Sequence, residues 1–356
     1  MLSKGVVVVP YTATWRGPWL GATRRPSLQR AANRPIICHV LDALRQAGVA
    51  EVAVVAPSDA ALEIGACLES EAPAGVTVRL LVADSSGDGD DALALAAEFV
   101  GDDPCVLHRA NGLLEQVLLP HLELVGDEAI DALLLVDGGD TDGPPLRLVP
   151  RLSLDDATVE ATPATPGYAG VCVLGAGALA RAASMGPPNP VKLHDFADLA
   201  QRLASDGGHT RVRVVRSWRH FTDNALDLLA MNRMLLDALD PETTASSYDG
   251  NRFEGTVVIH PTASVTSSVI VGPAIIGAET LVADSYIGPH TSIGERVRIE
   301  GVELERSIVL ADASLLHVGG RLVASVVGRN ARVFRDFSVP RALRLQVGDG
   351  DEVALC

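Results

Sequence analysis

Val269-Ile-Val-Gly-Pro-Ala-Ile-Ile-Gly-Ala-Glu-Thr-Leu-Val-Ala-Asp-Ser-Tyr-Ile-Gly-Pro-His-Thr-Ser-Ile-Gly294 is the stretch that decides the fold. Ile270, Ile276 and Val282 stand six residues apart, and Ile287, Ile293 and Ile299 repeat the step. Gly277, Gly288 and Gly294 directly follow apolar members of the two series. An aliphatic residue, small or polar residues and a turn glycine at that period form the hexapeptide β-helix pattern. One face of such a coil is too short to be stable alone, so stacking must bury a continuous Val/Ile/Leu column. At about 18 residues per coil, roughly four coils fit between Thr256 and Phe337.

Upstream the pattern is different. Val6–Val9, Glu51–Val55, Val76–Val82, Cys105–His108, Ala132–Val136, Gly170–Leu174 and Arg211–Val215 read as strands. Helical spacing appears after Pro35 up to Gly48, and near Asp59–Leu68, Asp91–Val100, Leu193–Leu203 and Asn224–Leu239. Strand–helix alternation builds a Rossmann-like α/β domain with a mixed, mostly parallel sheet. Ligands of such sheets sit at the carboxyl ends of the strands. The chain divides into an α/β domain over 1–240, a linker over 241–254 rich in Thr, Ser, Asp and Gly, a left-handed parallel β-helix over 255–343, and a C-terminal tail or strand over 344–356.

Composition bounds the function. The 356 residues carry 45 acidic and 29 basic groups, a net charge of −16. An acidic chain without a basic stripe is a poor binder of nucleic acid or anionic membrane. Five scattered cysteines without a C-x-x-C pair suggest neither a zinc site nor a disulfide framework. The N-terminal apolar run stops at Pro10, short of a signal peptide, and no stretch reaches the ~18 apolar residues of a membrane span. A reduced, cytoplasmic protein is expected. Only Lys4 and Lys192 are lysines.

Ala32-Asn-Arg-Pro-Ile36, Leu41-Asp-Ala-Leu-Arg-Gln-Ala-Gly48, Ser307-Ile-Val-Leu310, Val327-Gly-Arg-Asn330 and Val347-Gly-Asp-Gly-Asp-Glu-Val353 join the β-helix stretch in a resemblance to the sugar-1-phosphate nucleotidylyltransferases. The long form of glucose-1-phosphate thymidylyltransferase is the nearest pattern, and the resemblance spans almost the whole chain. It implies in-line transfer of a nucleotidyl group to a sugar phosphate. A glycine-rich loop and a lysine would clamp the phosphates, and two aspartates would hold Mg²⁺.

The catalytic motifs depart from that pattern. Tyr11, Thr12 and Thr14 occupy the loop-glycine positions, where bulky or β-branched residues obstruct close backbone approach. Arg16 keeps the family arginine, while the lysine falls on Pro26 or Ser27. The G-D-N motif reads Arg109-Ala-Asn111, and Phe221 falls under the second aspartate, in a register set by Asn232-Arg233. Both metal positions therefore lack a carboxylate, at Ala110 and Phe221, and no metal or cofactor is assigned.

If the fold is kept, Tyr11, Trp15, Arg16, His108, Arg109, Asn111 and Tyr168 rim the pocket. His194 beside Asp195, and His220 near Asp223, are the candidate base–carboxylate pairs of a repurposed catalysis. A lone histidine is more often simply packed. His260, His290 and His317 could suggest acyl transfer, but they lack an acceptor-site context. The leading expectation is a diverged relative that has lost nucleotidyl transfer and reuses its pocket for another small-molecule reaction, by analogy in natural-product metabolism. The alternatives are a non-catalytic ligand-sensing or scaffold partner of an active relative, and a working nucleotidylyltransferase with displaced ligands. A small-molecule ligand and a homo-oligomer, or a paralogue bound through the β-helix, are the expected partners.

Overall fold

The computed structural model describes residues 3–10, 25–84, 90–115, 117–127, 130–137, 153–154, 167–185, 193, 195–215, 218–221, 224–241 and 250–335. Its first strand is β1 (Lys4–Val8), whose four valine and glycine positions after Lys4 are buried. A tight hairpin of β2 (Arg30–Ala31) and β3 (Arg34–Pro35) turns through Ala32 and Asn33 at φ of 44° and 64°. Pro35 pre-sets the entry to α1 (Ile36–Gln46), which buries Ile36, Ile37, Val40, Leu41 and Leu44. The helix ends where Gly48 takes φ +86° and Val49 donates back to the Leu44 carbonyl. The chain continues through β4 (Glu51–Pro57), α2 (Ala61–Glu71), β5 (Thr77–Ala83), α3 (Asp90–Val100), β6 (Cys105–Arg109) and β7 (Gly112–Leu114). Then come α4 (Leu119–Asp127), β8 (Ala132–Asp137), β9 (Ser153–Leu154), β10 (Gly167–Leu174), α5 (Ala178–Ser184), α6 (Phe196–Ser205), β11 (Thr210–Val215), β12 (Trp218–His220) and α7 (Ala225–Asp237).

The main sheet has the order β5-β4-β1-β6-β10-β8-β11-β9. Only β10 runs antiparallel, against both β6 and β8. One face packs on α1, α2, α4 and α7 through Val7, Ile37, Ile64, Val106, Leu122 and Leu228. The other packs on α3, α5 and α6 through Val8, Ala96, Leu107, Leu179 and Phe196. Helices α4 and α5 and the β7–β12 pair are absent from the sequence reading. α5 has seven residues and α4 nine, too few turns for a clear helical period.

From Arg252 onward three five-stranded parallel sheets form the β-helix. Ile270, Ile287 and Leu304 stack on one face, Ile276, Ile293 and Val309 on the second, and Val282, Ile299 and Leu315 on the third. Each of these nine side chains is at most 1% exposed. Five strands per face exceed the four coils expected, because Phe253 and Val265 already head the columns over Ile270 and Val282. The repeat is also shorter than 18 at first, since Ile270 lies beside Ile287, seventeen residues on.

The glycines have a different role from the one read in the sequence. Gly277 and Gly294 do not take positive φ; the corners use non-glycine residues such as Glu279, His290, Arg296 and Asp312 for that. A Cβ on Gly277 would meet the Gly294 backbone at 2.6 Å, and one on Gly294 would meet Ala311 N at 2.8 Å. Close stacking of coils, not turn conformation, requires glycine there.

The two parts share a buried seam. Ile308 and Leu310 of the β-helix belong to the apolar cluster that holds α1 and α7. Asn232 of α7, fully buried, accepts from Ala32 N–H and the Ser292 hydroxyl (both 2.8 Å) and donates to the His290 carbonyl (3.2 Å). Asn33 donates to the Ile293 carbonyl at 2.6 Å.

Candidate functional site

At the carboxyl end of β6 the chain turns at Ala110, whose N–H is held by the Val8 carbonyl (2.9 Å). β7 then pairs antiparallel with β12, His220 facing Gly112 and Trp218 facing Leu114. Phe221 N–H donates to the Asn111 carbonyl (2.9 Å), and the Asn111 side-chain amide donates back to the Phe221 carbonyl (3.1 Å). Ala110 and Phe221, the two positions aligned with the family's metal ligands, thus flank this Asn111–Phe221 hydrogen-bond pair.

What they present is apolar. Ala110 and Phe221 are both 0% exposed and packed into the same cluster. A methyl group and a phenyl ring cannot ligate Mg²⁺, which demands oxygen donors. Among the described residues no group of three His, Cys, Asp or Glu side chains could hold a metal ion. The residues present do not fit the Mg²⁺ that the resemblance implies.

Trp218 organises this corner. Its ring lies where a Cβ on Gly112 would come within 2.2 Å and one on Gly170 within 2.6 Å, so both strands need glycine beside it. The His108 ring is 5.7 Å from it and the His220 ring stacks at 6.4 Å. His108, 1% exposed, donates from Nδ1 to the Arg109 carbonyl (2.8 Å), and burial pushes its pKa down to about 4. It is a nearly fully buried histidine. His220 is half-buried, and its pKa is lowered chiefly by burial. Arg109 adds to that lowering, while the carboxylates of Asp227 and Asp137 oppose it. Asp137, at the end of β8 and 3% exposed, and Asp227, in the first turn of α7, were not singled out in the sequence. Both sit in positions that a purely sequential reading gives no reason to join to His220.

Asp195 is the N-cap of α6, its carboxylate accepting from Asp198 N–H at 3.0 Å. Tyr168 lies on β10 opposite Val136. Pro26, at the family's lysine position, opens a buried 3₁₀ turn, Pro26–Leu28. Tyr11, Trp15, Arg16, His194 and Asp223 lie outside the described residues. His290 is an inter-domain clasp, its Nε2 2.7 Å from Asp237 of α7. Beside that clasp a groove of about 490 Å³ opens between β12, α7 and the β-helix, lined by Arg219, Leu229, Arg233, Met234 and Arg306.

No protein-family model matches the chain. Two curated proteins named glucose-1-phosphate thymidylyltransferase are each 28% identical to it. The Streptomyces antibioticus protein aligns over 94% of both chains, and the Streptomyces griseus one over 97% of this chain and 98% of its own. The chain is a relative of the sugar-1-phosphate nucleotidylyltransferases. A "low-salt glycan biosynthesis nucleotidyltransferase Agl11" from Haloferax volcanii is 24% identical to this nucleotidyltransferase-like chain, over 99% of it and all of the relative. In fold, the chain resembles a crystal structure from Bacillus anthracis described as a candidate glucose-1-phosphate thymidylyltransferase in complex with a sucrose. The TM-score is 0.55 at 17% identity, covering 67% of this chain and 96% of that one.

Proposed function

We propose that this nucleotidyltransferase-like chain no longer performs Mg²⁺-dependent nucleotidyl transfer. It acts as a ligand-sensing or scaffold partner of an active relative, binding a small molecule in the groove between its α/β domain and the β-helix and associating through the β-helix. The observation that carries the reading is the full burial of Ala110 and Phe221, at either end of the Asn111–Phe221 hydrogen bond beside the β7–β12 pair. One oxyanion-stabilising contact is worth ~2.7–4 kcal/mol, and on that scale losing two metal-holding carboxylates lowers the rate by about 10⁴-fold or more. The groove between α7 and the β-helix supports the sensing role, because a ligand there would touch both domains at once. A second reading, catalysis reused at His220, is favoured by that ring's half-exposure and lowered pKa, which keep it neutral as a base. A cytoplasmic place, and a setting in natural-product metabolism like that of an antibiotic-sugar enzyme, belong to the same proposal; no described helix is long and apolar enough to cross a membrane.

Calorimetry of the full chain with dTTP, with and without Mg²⁺, followed by addition of glucose 1-phosphate, tests it. Binding that Mg²⁺ does not strengthen, and no pyrophosphate, is the expected outcome. Tight Mg²⁺-dependent binding with pyrophosphate release overturns the proposal. Turnover of another substrate that His220→Ala abolishes moves the assignment to the second reading.

A further inference from the structure

We propose that Cys38 and Cys67 form a redox-active dithiol, a modification site at which a low-molecular-weight disulfide is reduced while the two thiols close into a disulfide joining α1 to α2. The cysteines are 29 residues apart in the chain, and their sulfurs lie 3.9 Å apart. A disulfide needs ~2.05 Å, so closing the pair takes side-chain rotation and a shift of about 2 Å, within reach of two packed helices.

The surroundings hold the pair in register. Arg30 forks onto the Glu71 carboxylate with contacts of 2.7 and 2.8 Å, one helical turn beyond Cys67. Arg34 bonds Asp42, one turn beyond Cys38, and reaches the Glu71 carbonyl at 3.4 Å. One loop therefore clamps both cysteine-bearing helices. Through Asn33 the same loop also touches the β-helix at Ile293.

The two sulfurs are not equivalent. Cys38 is fully buried, while Cys67 is half-buried and open to a small oxidant. The contact with Cys38 lowers the Cys67 pKa; Arg30 and Arg34 lower it too, while burial and Glu71 oppose them without reversing the net fall. The same contact and burial raise that of Cys38. Cys67 is the attacking thiolate. It displaces one thiolate from the oxidant and becomes a mixed disulfide. Cys38 attacks the Cys67 sulfur and expels the second thiolate, which takes up the Cys38 proton. One external disulfide is consumed and two external thiols are formed, both protein thiols being oxidised. Cys105 and Cys172, each fully buried in strands and raised by burial, are unreactive by comparison.

The test uses the folded full chain carrying Cys356→Ser, equilibrated with oxidised glutathione, trapped with N-ethylmaleimide and peptide-mapped. The expected result is a loss of ~2 Da and a Cys38–Cys67 link that dithiothreitol reverses. With Cys38→Ala the reaction should stop at a glutathione adduct on Cys67, a gain of ~305 Da. Two N-ethylmaleimide-labelled thiols at these positions in the oxidised sample overturn the proposal. So does a stable adduct on Cys67 of the wild-type pair, or a link that forms only in urea.

Discussion

His108 shows how a single side chain can be chemically conspicuous and structurally mute. Its Nδ1 is satisfied by the Arg109 carbonyl, its ring is walled by Trp218, and its pKa falls to about 4. A histidine held neutral in the fold and free to protonate when unfolded contributes stability that is complete above its ordinary pKa near 6.5. That stability is lost as pH falls toward 4, because the unfolded chain then binds the extra proton. The loss from His108 reaches about 3 kcal/mol at most. His39 and His121, also pushed down to about 4 by burial, act in the same direction. Urea unfolding between pH 4 and 7 should therefore show stability rising with pH. His108→Asn, whose amide reaches the same carbonyl, should remove about one proton's worth of slope, ~1.4 kcal/mol per pH unit. An unchanged slope would show that His108 titrates normally in the folded chain. No local sequence signal separates this histidine from His220; the difference lies in which side of β6 and β12 faces the core.

At the scale of the element, the β-helix is held by more than its aliphatic columns. Ser268 Oγ accepts from Ser285 N–H, and Ser285 Oγ accepts from Val302 N–H, both at 3.1 Å, so each coil caps a corner of the next. Thr280 does the same for Val297 N–H at 3.1 Å. Ser285→Ala leaves the Val302 amide buried without an acceptor, a cost of about 1–3 kcal/mol. A lowered urea midpoint is expected, with the exposed Thr266→Ala staying within about 0.5 kcal/mol of wild type. Equal midpoints for Ser285→Ala and Thr266→Ala would rule the ladder out. The six-residue aliphatic step made the columns legible in advance, since side chains pointing inward must be apolar. The corner hydroxyls were not legible: a serine seventeen residues from another carries no signal until the coils are stacked.

For the whole molecule, Asn232 decides whether the two parts behave as one. Its amide closes three hydrogen bonds from α7 to the β2–β3 turn and the β-helix, two of them fully buried. Asn232→Leu keeps the branched shape with somewhat more bulk and orphans those partners, at about 1–3 kcal/mol for each buried group. Scanning calorimetry should then show the single transition splitting or dropping by several degrees. One transition unchanged to within about 1 °C would mean that the apolar seam around Ile308 and Leu310 suffices. The amino-acid sequence by itself determined the α/β domain, the β-helix and the apolar identity of Ala110 and Phe221, because periodicity and residue identity are local properties. Only the tertiary structure decided that Ala110 and Phe221 are both buried in one apolar cluster, that Asp137 and Asp227 act on His220, that Asp195 is spent on a helix cap, and that Cys38 lies against Cys67. Those facts depend on which strand ends and helix faces converge, and convergence is set by packing between segments tens to hundreds of residues apart.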